Sequence, residues 1–213
     1  SRICDQVWAD VEEVARGMGM DKRIGRAFLD AGAGYGGSCF PKDLDAFINI
    51  AEKSGYNFEL LKAVRRINQE QKRFILKKLK TNLWIIKDKV IAVLGLAFKP
   101  DTDDIRSAPA LDLIDALKQE GAKIRAYDPQ AMKKAKGVLA GADVKFCKDS
   151  YEAAKGADCL LVVNEWNEFK ELDFKKLKKI LRRPLLIDGR NIYDAAQLKK
   201  AGFTYVAVGR GVR

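Results

Sequence analysis

VIAVLGLAFKPDTDDIRSAP (residues 90–109) begins with a short β-branched and apolar run, breaks at Gly95, passes through a polar loop and leads into the helical pattern ALDLIDALKQEG (110–121). Strand, loop and helix in that order predict one unit of a parallel sheet with a crossover helix. The same grammar continues to the end of the chain. KIRAYD (123–128), VKF (144–146), CLLVV (159–163), LLID (185–188) and TYVAV (204–208) read as strands, and SYEAAKGA, FKKLKKIL and DAAQLKKAG between them read as helices. The expected fold class is therefore α/β, with a doubly wound, mostly parallel, Rossmann-like sheet over residues 87–213.

Working toward the start of the chain, the pattern changes to helix. Ile3, Val7, Val11, Val14 and Met18 recur at three- and four-residue steps, so residues 2–19 read as one amphipathic helix that starts abruptly, as though cut partway along. Pro41 suits the first turn of a second helix to Lys53, closed by Ser54 and Gly55, and a third is expected from Phe58 to Lys80. Residues 1–86 form an N-terminal helical segment in this reading, with the boundary near Trp84 to Asp88.

Composition narrows the chemistry. A chain of 213 residues, 47% of them hydrophobic, can bury a real core. No stretch approaches the roughly eighteen uninterrupted apolar residues of a membrane helix, and no signal peptide is evident, so the expected compartment is the cytoplasm and no membrane partner is expected. Histidine is absent, which removes Ser-His-Asp and Cys-His catalysis and every histidine metal site. Cys4, Cys39, Cys147 and Cys159 lack C-x-x-C spacing and read as reduced thiols, with no metal expected. The net charge of +11 favours anionic partners: nucleotide phosphates, nucleic acid or acidic lipid. The basic runs Lys62 to Lys80 and FKKLKKILRR (174–183) lack any nucleic-acid motif and read as solvated helix faces.

In such sheets ligands bind beyond the carboxyl ends of the strands. That edge carries Lys99, Arg106 and Arg190, either a phosphate clamp or three ordinary loop cations. Asp128 could serve as a ribose-binding acid, but the first turn offers Gly95 alone and no glycine triplet. This half is a poor candidate for a dinucleotide site.

A glycine triplet does occur earlier, in GAGYGGSCFPKD (32–43), where Gly32, Gly34 and Gly37 match G-x-G-x-x-G. The context is wrong for a dinucleotide: no strand enters it, and Ser38, Cys39, Phe40 and Pro41 follow. Its chemistry lies in Cys39. Pro41 places this thiol just before a helix start and Lys42 lies three residues on, two features that favour a thiolate. Asp43 in the first turn either satisfies the helix dipole or positions a water. Cys4 and Cys159 read as packing residues, and Cys147 carries no neighbouring signal.

Taken together, RIGRAFLDAGAGYGGSCFPKDLDAF, GLAFKPDTDDIRSAP and IDGRN resemble the UDP-glucose/GDP-mannose dehydrogenase family, in order and over essentially the whole chain. The SCFPKD element is similar to that of members acting on UDP-glucose, with GDP-mannose the nearer competitor; relatives acting on UDP-N-acetylmannosamine tend to carry G-H-C-I-P-V-D. The resemblance implies NAD-dependent oxidation of a nucleotide sugar to its uronate in two steps, with Cys39 forming a thiohemiacetal and then a thioester, and Asp43 assisting the water. It implies that Lys42 and Arg106 meet NAD, and that Phe28, Leu29, Asp30, Ala31, Gly32, Gly36, Lys99 and Arg190 hold the UDP-sugar. Arg23 would reach the site of a neighbouring subunit, in a homodimer built around the central helix. It also implies a preceding NAD-binding domain that these residues do not include, and hence a chain inactive by itself. The alternative is a nucleotide-sugar-binding or assembly module without chemistry.

Overall fold

The computed structural model describes residues 1–139 and 144–211. Four helices come first: α1 (Arg2–Val7), α2 (Val11–Gly19), α3 (Phe40–Lys53) and α4 (Glu59–Leu83). The alternating half then runs β1 (Val90–Leu94), α5 (Pro109–Gln119), β2 (Lys123–Tyr127), α6 (Met132–Val138), β3 (Val144–Phe146), α7 (Ser150–Ala154), β4 (Cys159–Val162), α8 (Asn167–Lys170), α9 (Phe174–Ile180), β5 (Leu185–Asp188), α10 (Ala195–Lys200) and β6 (Thr204–Ala207). The sheet is parallel throughout, in the order β3-β2-β1-β4-β5-β6. The α/β, doubly wound expectation holds, with the reversal of winding between β1 and β4.

Strand alternation sorts the core into two layers. Ile91 and Val93 of β1 face α5, α6 and the second half of α4, where Ile75, Leu79 and Leu83 lie on one stripe. Ala92 and Leu94 face the opposite side, against α7 to α10, with Phe169, Leu177 and Leu198 fully buried. The helical half is thus fastened to the sheet through α4, whose stripe is continuous with the sheet core. No helix among the described residues is long and apolar enough to cross a membrane.

The single helix expected over residues 2–19 is two helices. Trp8 adopts a left-handed conformation, φ 61°, and Asp10 caps α2 by accepting a hydrogen bond from the Glu12 amide at 2.9 Å. The cause is tertiary. The chain end crosses this break: Val11 N–H donates to Gly209 O at 2.8 Å, Gly211 N–H to Ala9 O at 3.1 Å, and Arg210 pairs with Asp10 at 3.2 Å. Backbone groups that helix continuation would have used are spent on the tail, and periodicity in the sequence carries no trace of that competitor. The third helix also runs further than expected, to Leu83, because Leu79 and Leu83 are buried against the sheet.

Candidate active site

Residues 31–39 contain no helix or strand and are held on two sides. On one side stands α4. Asn68 accepts a hydrogen bond from Tyr35 N–H at 2.8 Å and donates to Tyr35 O at 3.0 Å, while buried Gln71 donates to Gly32 O at 2.9 Å. On the other side stand the strand-end loops. Gly37 N–H donates to Arg106 O at 2.9 Å, and the Phe98 ring lies where a side chain on Gly37 would go. A methyl group at Gly36 would come within 2.3 Å of Ser107 O, and one at Gly32 within 2.9 Å of Arg190 Nη1. The glycines therefore serve close approach of the loop to its walls rather than to a pyrophosphate.

Cys39 stands at the head of α3, exposed, with Asp43 N–H donating to its carbonyl at 2.8 Å and Ser38 Oγ at 3.6 Å from its sulfur. Lys42 and Asp43 follow at i+3 and i+4, so all three stack on one helical face. Lys42 pairs with Asp43 at 3.0 Å. That hydrogen bond is the main reason Lys42 is held above its ordinary pKa, and the charge of Cys39 adds to it. Arg106 is raised chiefly by its fork on Asp104, again with a contribution from Cys39. Its partner Asp104 is correspondingly held down at about 2. Two exposed cations thus belong to the segments around Cys39: Lys42 one turn along α3, and Arg106 in the β1–α5 loop, whose carbonyl holds Gly37. The other three cysteines are buried.

The strand ends supply the rest. Arg190, half-buried, forms a two-pronged ion pair with Glu165, Nη2 to Oε1 at 2.8 Å, which joins the loops after β4 and β5. Lys99 is exposed, with its ammonium 5.5 Å from the centre of the Phe98 ring and no carboxylate partner among the described residues. Asp128 is fully buried and used up: it accepts from the Leu96, Ala97, Gln130 and Ala131 amides and from Trp166 Nε1. It shapes the β1–α5 loop and has no capacity for a ribose. Gly95 is packed against Asn164, where a methyl group would come within 2.3 Å of the Asn164 Cβ. Asp188, also buried, accepts from Arg190 N–H, Tyr193 N–H and the Tyr205 hydroxyl; burial raises its pKa against the pull of these donors.

The structure thus brings together Gly32, Gly36, Cys39, Lys42, Asp43, Arg106 and Arg190, with Lys99 on the adjoining loop. Ala31 packs against the core beside the loop. Arg23, Phe28 and Asp30 stand apart from these contacts, and Leu29 is half-buried with its amide donating to Arg26 O at 3.4 Å. Arg23 folds back on Asp21 at 2.6 Å, Asp30 pairs with Arg26 at 2.7 Å, and Phe28 is fully exposed with a left-handed φ of 62°. Asn68, Gln71 and Glu165 were missed from sequence. The available signal was two amides continuing the apolar stripe of α4 upward, in the series 68, 71, 75, 79. Most cations of α4 turn out to be neutralised: Lys62 pairs with Glu52, Arg65 with Asp45, Lys72 with Asp112, Lys78 with Asp5 and Lys80 with Glu120.

Comparison with known proteins gives a consistent set of relatives. The central domain of the UDP-glucose/GDP-mannose dehydrogenase family matches residues 1–70, and the UDP binding domain of that family matches residues 92–195. UDP-glucose 6-dehydrogenase TuaD of Bacillus subtilis (strain 168) is 47% identical over 99% of this chain, and the UDP-glucose 6-dehydrogenase of Rhizobium meliloti (strain 1021) is 44% identical over 98%. The chain spans about half of each, 45% and 47% of their lengths. Among solved structures, a UDP-glucose dehydrogenase from Pyrobaculum islandicum superposes with a TM-score of 0.87 at 32% identity, covering 99% of this chain and 46% of that one. A UDP-D-ManNAc dehydrogenase from Pyrococcus horikoshii gives 0.81 at 28% identity, covering 98% of this chain and 46% of that one.

Proposed function

The chain belongs to the UDP-glucose/GDP-mannose dehydrogenase family, and from that premise we propose that it carries the catalytic cysteine and the sugar-nucleotide site of an NAD-dependent UDP-glucose 6-dehydrogenase. One observation carries the reading: the loop leading to Cys39 is docked, through Gly32, Gly36 and Gly37, on the strand-end loops bearing Lys99, Arg106 and Arg190. The names of the curated relatives favour UDP-glucose as the substrate. The division of labour follows the chain, with residues 1–86 supplying the cysteine loop and residues 87–213 the UDP-sugar site.

The β1–β4 crevice does not fit a dinucleotide, since Gly95 is closed off by Asn164 and Asp128 is saturated. Lys42 and Arg106, exposed beside Cys39, fit contact with the edge of NAD instead. Two molecules of NAD, bound in succession, would each accept one of the two hydrides that the sugar loses. The Cys39 thiolate adds to the carbonyl carbon of the aldehyde, forming a C–S bond while the oxygen takes up a proton. At the thioester stage Asp43, one turn further on, takes a proton from the attacking water; the C–S bond breaks, and the uronate and thiolate are released. Lys99 and Arg190 hold the diphosphate, with Gly32 and Gly36 along the sugar nucleotide; Phe28 to Ala31 join them where the bound ligand extends past the cluster. Arg23 reaches toward a neighbouring subunit in a cytoplasmic homodimer built on α1 and α2, whose Ile3, Val7, Val14 and Met18 are exposed.

These 213 residues by themselves are expected not to turn over, because no strand–glycine–helix unit among the described residues can cradle a dinucleotide. Calorimetric titration with UDP-glucose and GDP-mannose tests the site: at least tenfold preference for UDP-glucose is expected, and an equal or reversed preference overturns the substrate assignment. NADH formation from UDP-glucose and NAD by this chain overturns its inactivity. Failure of UDP-glucose to protect Cys39 from iodoacetamide favours a binding or assembly role without chemistry.

A further inference from the structure

We propose that Asn68, backed by Gln71, is a positioning residue that sets Cys39 against Arg106. The inference rests on the catalytic reading of Cys39 given above. Residues 31–39 make no regular secondary structure, so their backbone polar groups need partners from elsewhere. Asn68 supplies two at once, donating to and accepting from the same residue, Tyr35, as a neighbouring strand would. Gln71, one helical turn away, takes the carbonyl of Gly32. The pair thus fixes two points three residues apart in the loop, from a helix whose lower half is bolted into the sheet core by Ile75 and Leu79.

The contact is close enough to transmit position. Gly34, φ 109°, turns its bare face to Asn68, where a methyl group would come within 2.7 Å of Oδ1. Two residues beyond Tyr35, Gly37 is tied to the carbonyl of Arg106, and two residues beyond Gly37 stands Cys39. The Asn68 amide and the Arg106 backbone therefore pull on opposite sides of one short span. The Arg106 guanidinium is aimed by Asp104, and it belongs to the residue whose carbonyl holds Gly37, two residues from Cys39. Releasing the span from Asn68 lets the sulfur drift from that cation while leaving its place at the head of α3 intact.

The test is a double-variant cycle on Cys39 alkylation by iodoacetamide, followed peptide by peptide by mass spectrometry on the folded chain. Asn68→Ala is expected to slow modification of Cys39 at least threefold, Arg106→Gln to slow it similarly, and the double variant to be little slower than either. A merely structural role would loosen the loop and leave the Cys39 rate unchanged or faster, or give additive effects, and any of these overturns the proposal. Should Asn68→Ala lose the native circular dichroism spectrum, Asn68→Leu carries the test, since it keeps the approximate size, adds no charge and removes both hydrogen bonds to Tyr35. The same readings in the presence of UDP-glucose separate the two levels of inference: absence of protection in the parent chain counts against the functional reading, whereas an unchanged Asn68 variant counts against positioning alone.

Discussion

Arg190 lies against Gly32, its Nη1 within 2.9 Å of where a methyl group on that glycine would sit, so the cysteine loop and the end of β5 touch through a residue without a side chain. The same guanidinium holds Glu165 on its other side. One arginine therefore ties together three segments distant in sequence: the loop at residue 32, the turn after β4 and the turn after β5.

Arg190→Lys keeps the charge and loses the fork. A lysine cannot hold both Glu165 oxygens in one plane. The substitution should cost about 1 kcal/mol of stability in urea unfolding, given a partly exposed pair, and should weaken UDP-glucose binding in calorimetry. Unaltered stability and affinity together would show that the fork does no orienting.

The glycines of the loop should differ sharply from glycines elsewhere. Gly36→Ala places a methyl group 2.3 Å from the Ser107 carbonyl oxygen, which is backbone and cannot swing aside. A loss of roughly 1–3 kcal/mol is expected. Gly17 in α2 has open space around it, and Gly17→Ala should stabilise by about 0.5–1 kcal/mol through helix propensity. Urea titration of both variants checks the contrast, which fails if the two changes have the same sign.

Acid should release the Arg106 fork. Asp104 has its pKa lowered to about 2 in the folded chain, mainly by hydrogen bonding to Arg106. A lowered folded value means that its contribution is present above the ordinary carboxylate range, near 3.9, and is lost as pH falls toward 2. With Arg106 largely exposed, that contribution is at most about 1 kcal/mol. The stability gap between the parent chain and Asp104→Asn should therefore be measurable at pH 7, shrink below pH 4 and close near pH 2. A gap that widens on acidification contradicts the assignment.

Asp10 should matter beyond its own helix. It caps α2 and pairs with Arg210. Asp10→Ala is expected to cost about 1–2 kcal/mol, with Asp10→Asn milder because the cap survives. Thermal unfolding of the two variants measures the difference; equal midpoints for Ala and the parent chain would show that neither the cap nor the Arg210 pair adds stability.

Legibility differed by element. The strands were readable because each buried run is short, β-branched and closed by a turn, and β1 to β6 fall within the runs picked from residues 90 to 208. The head of α3 was readable from Pro41, and with it the setting of Cys39. Asn68 and Gln71 were not, since an amide on a helix face looks the same whether it meets water or a loop backbone. Glu165 was hidden for a similar reason: its partner lies 25 residues away, and nothing local distinguishes it from a surface acid.

Local order along the chain determined the layer architecture, the placing of the Cys39 thiol at a helix start and the cations beyond the strand ends, because periodicity, proline geometry and burial act between near neighbours. Tertiary structure alone decided which of these groups meet. The break at Trp8, the saturation of Asp128 and the docking of Gly32, Gly36 and Gly37 all depend on contacts between segments far apart in the chain. Such contacts are selected by the competition of backbone groups for partners in a packed interior, and that competition is settled only when the whole core has closed.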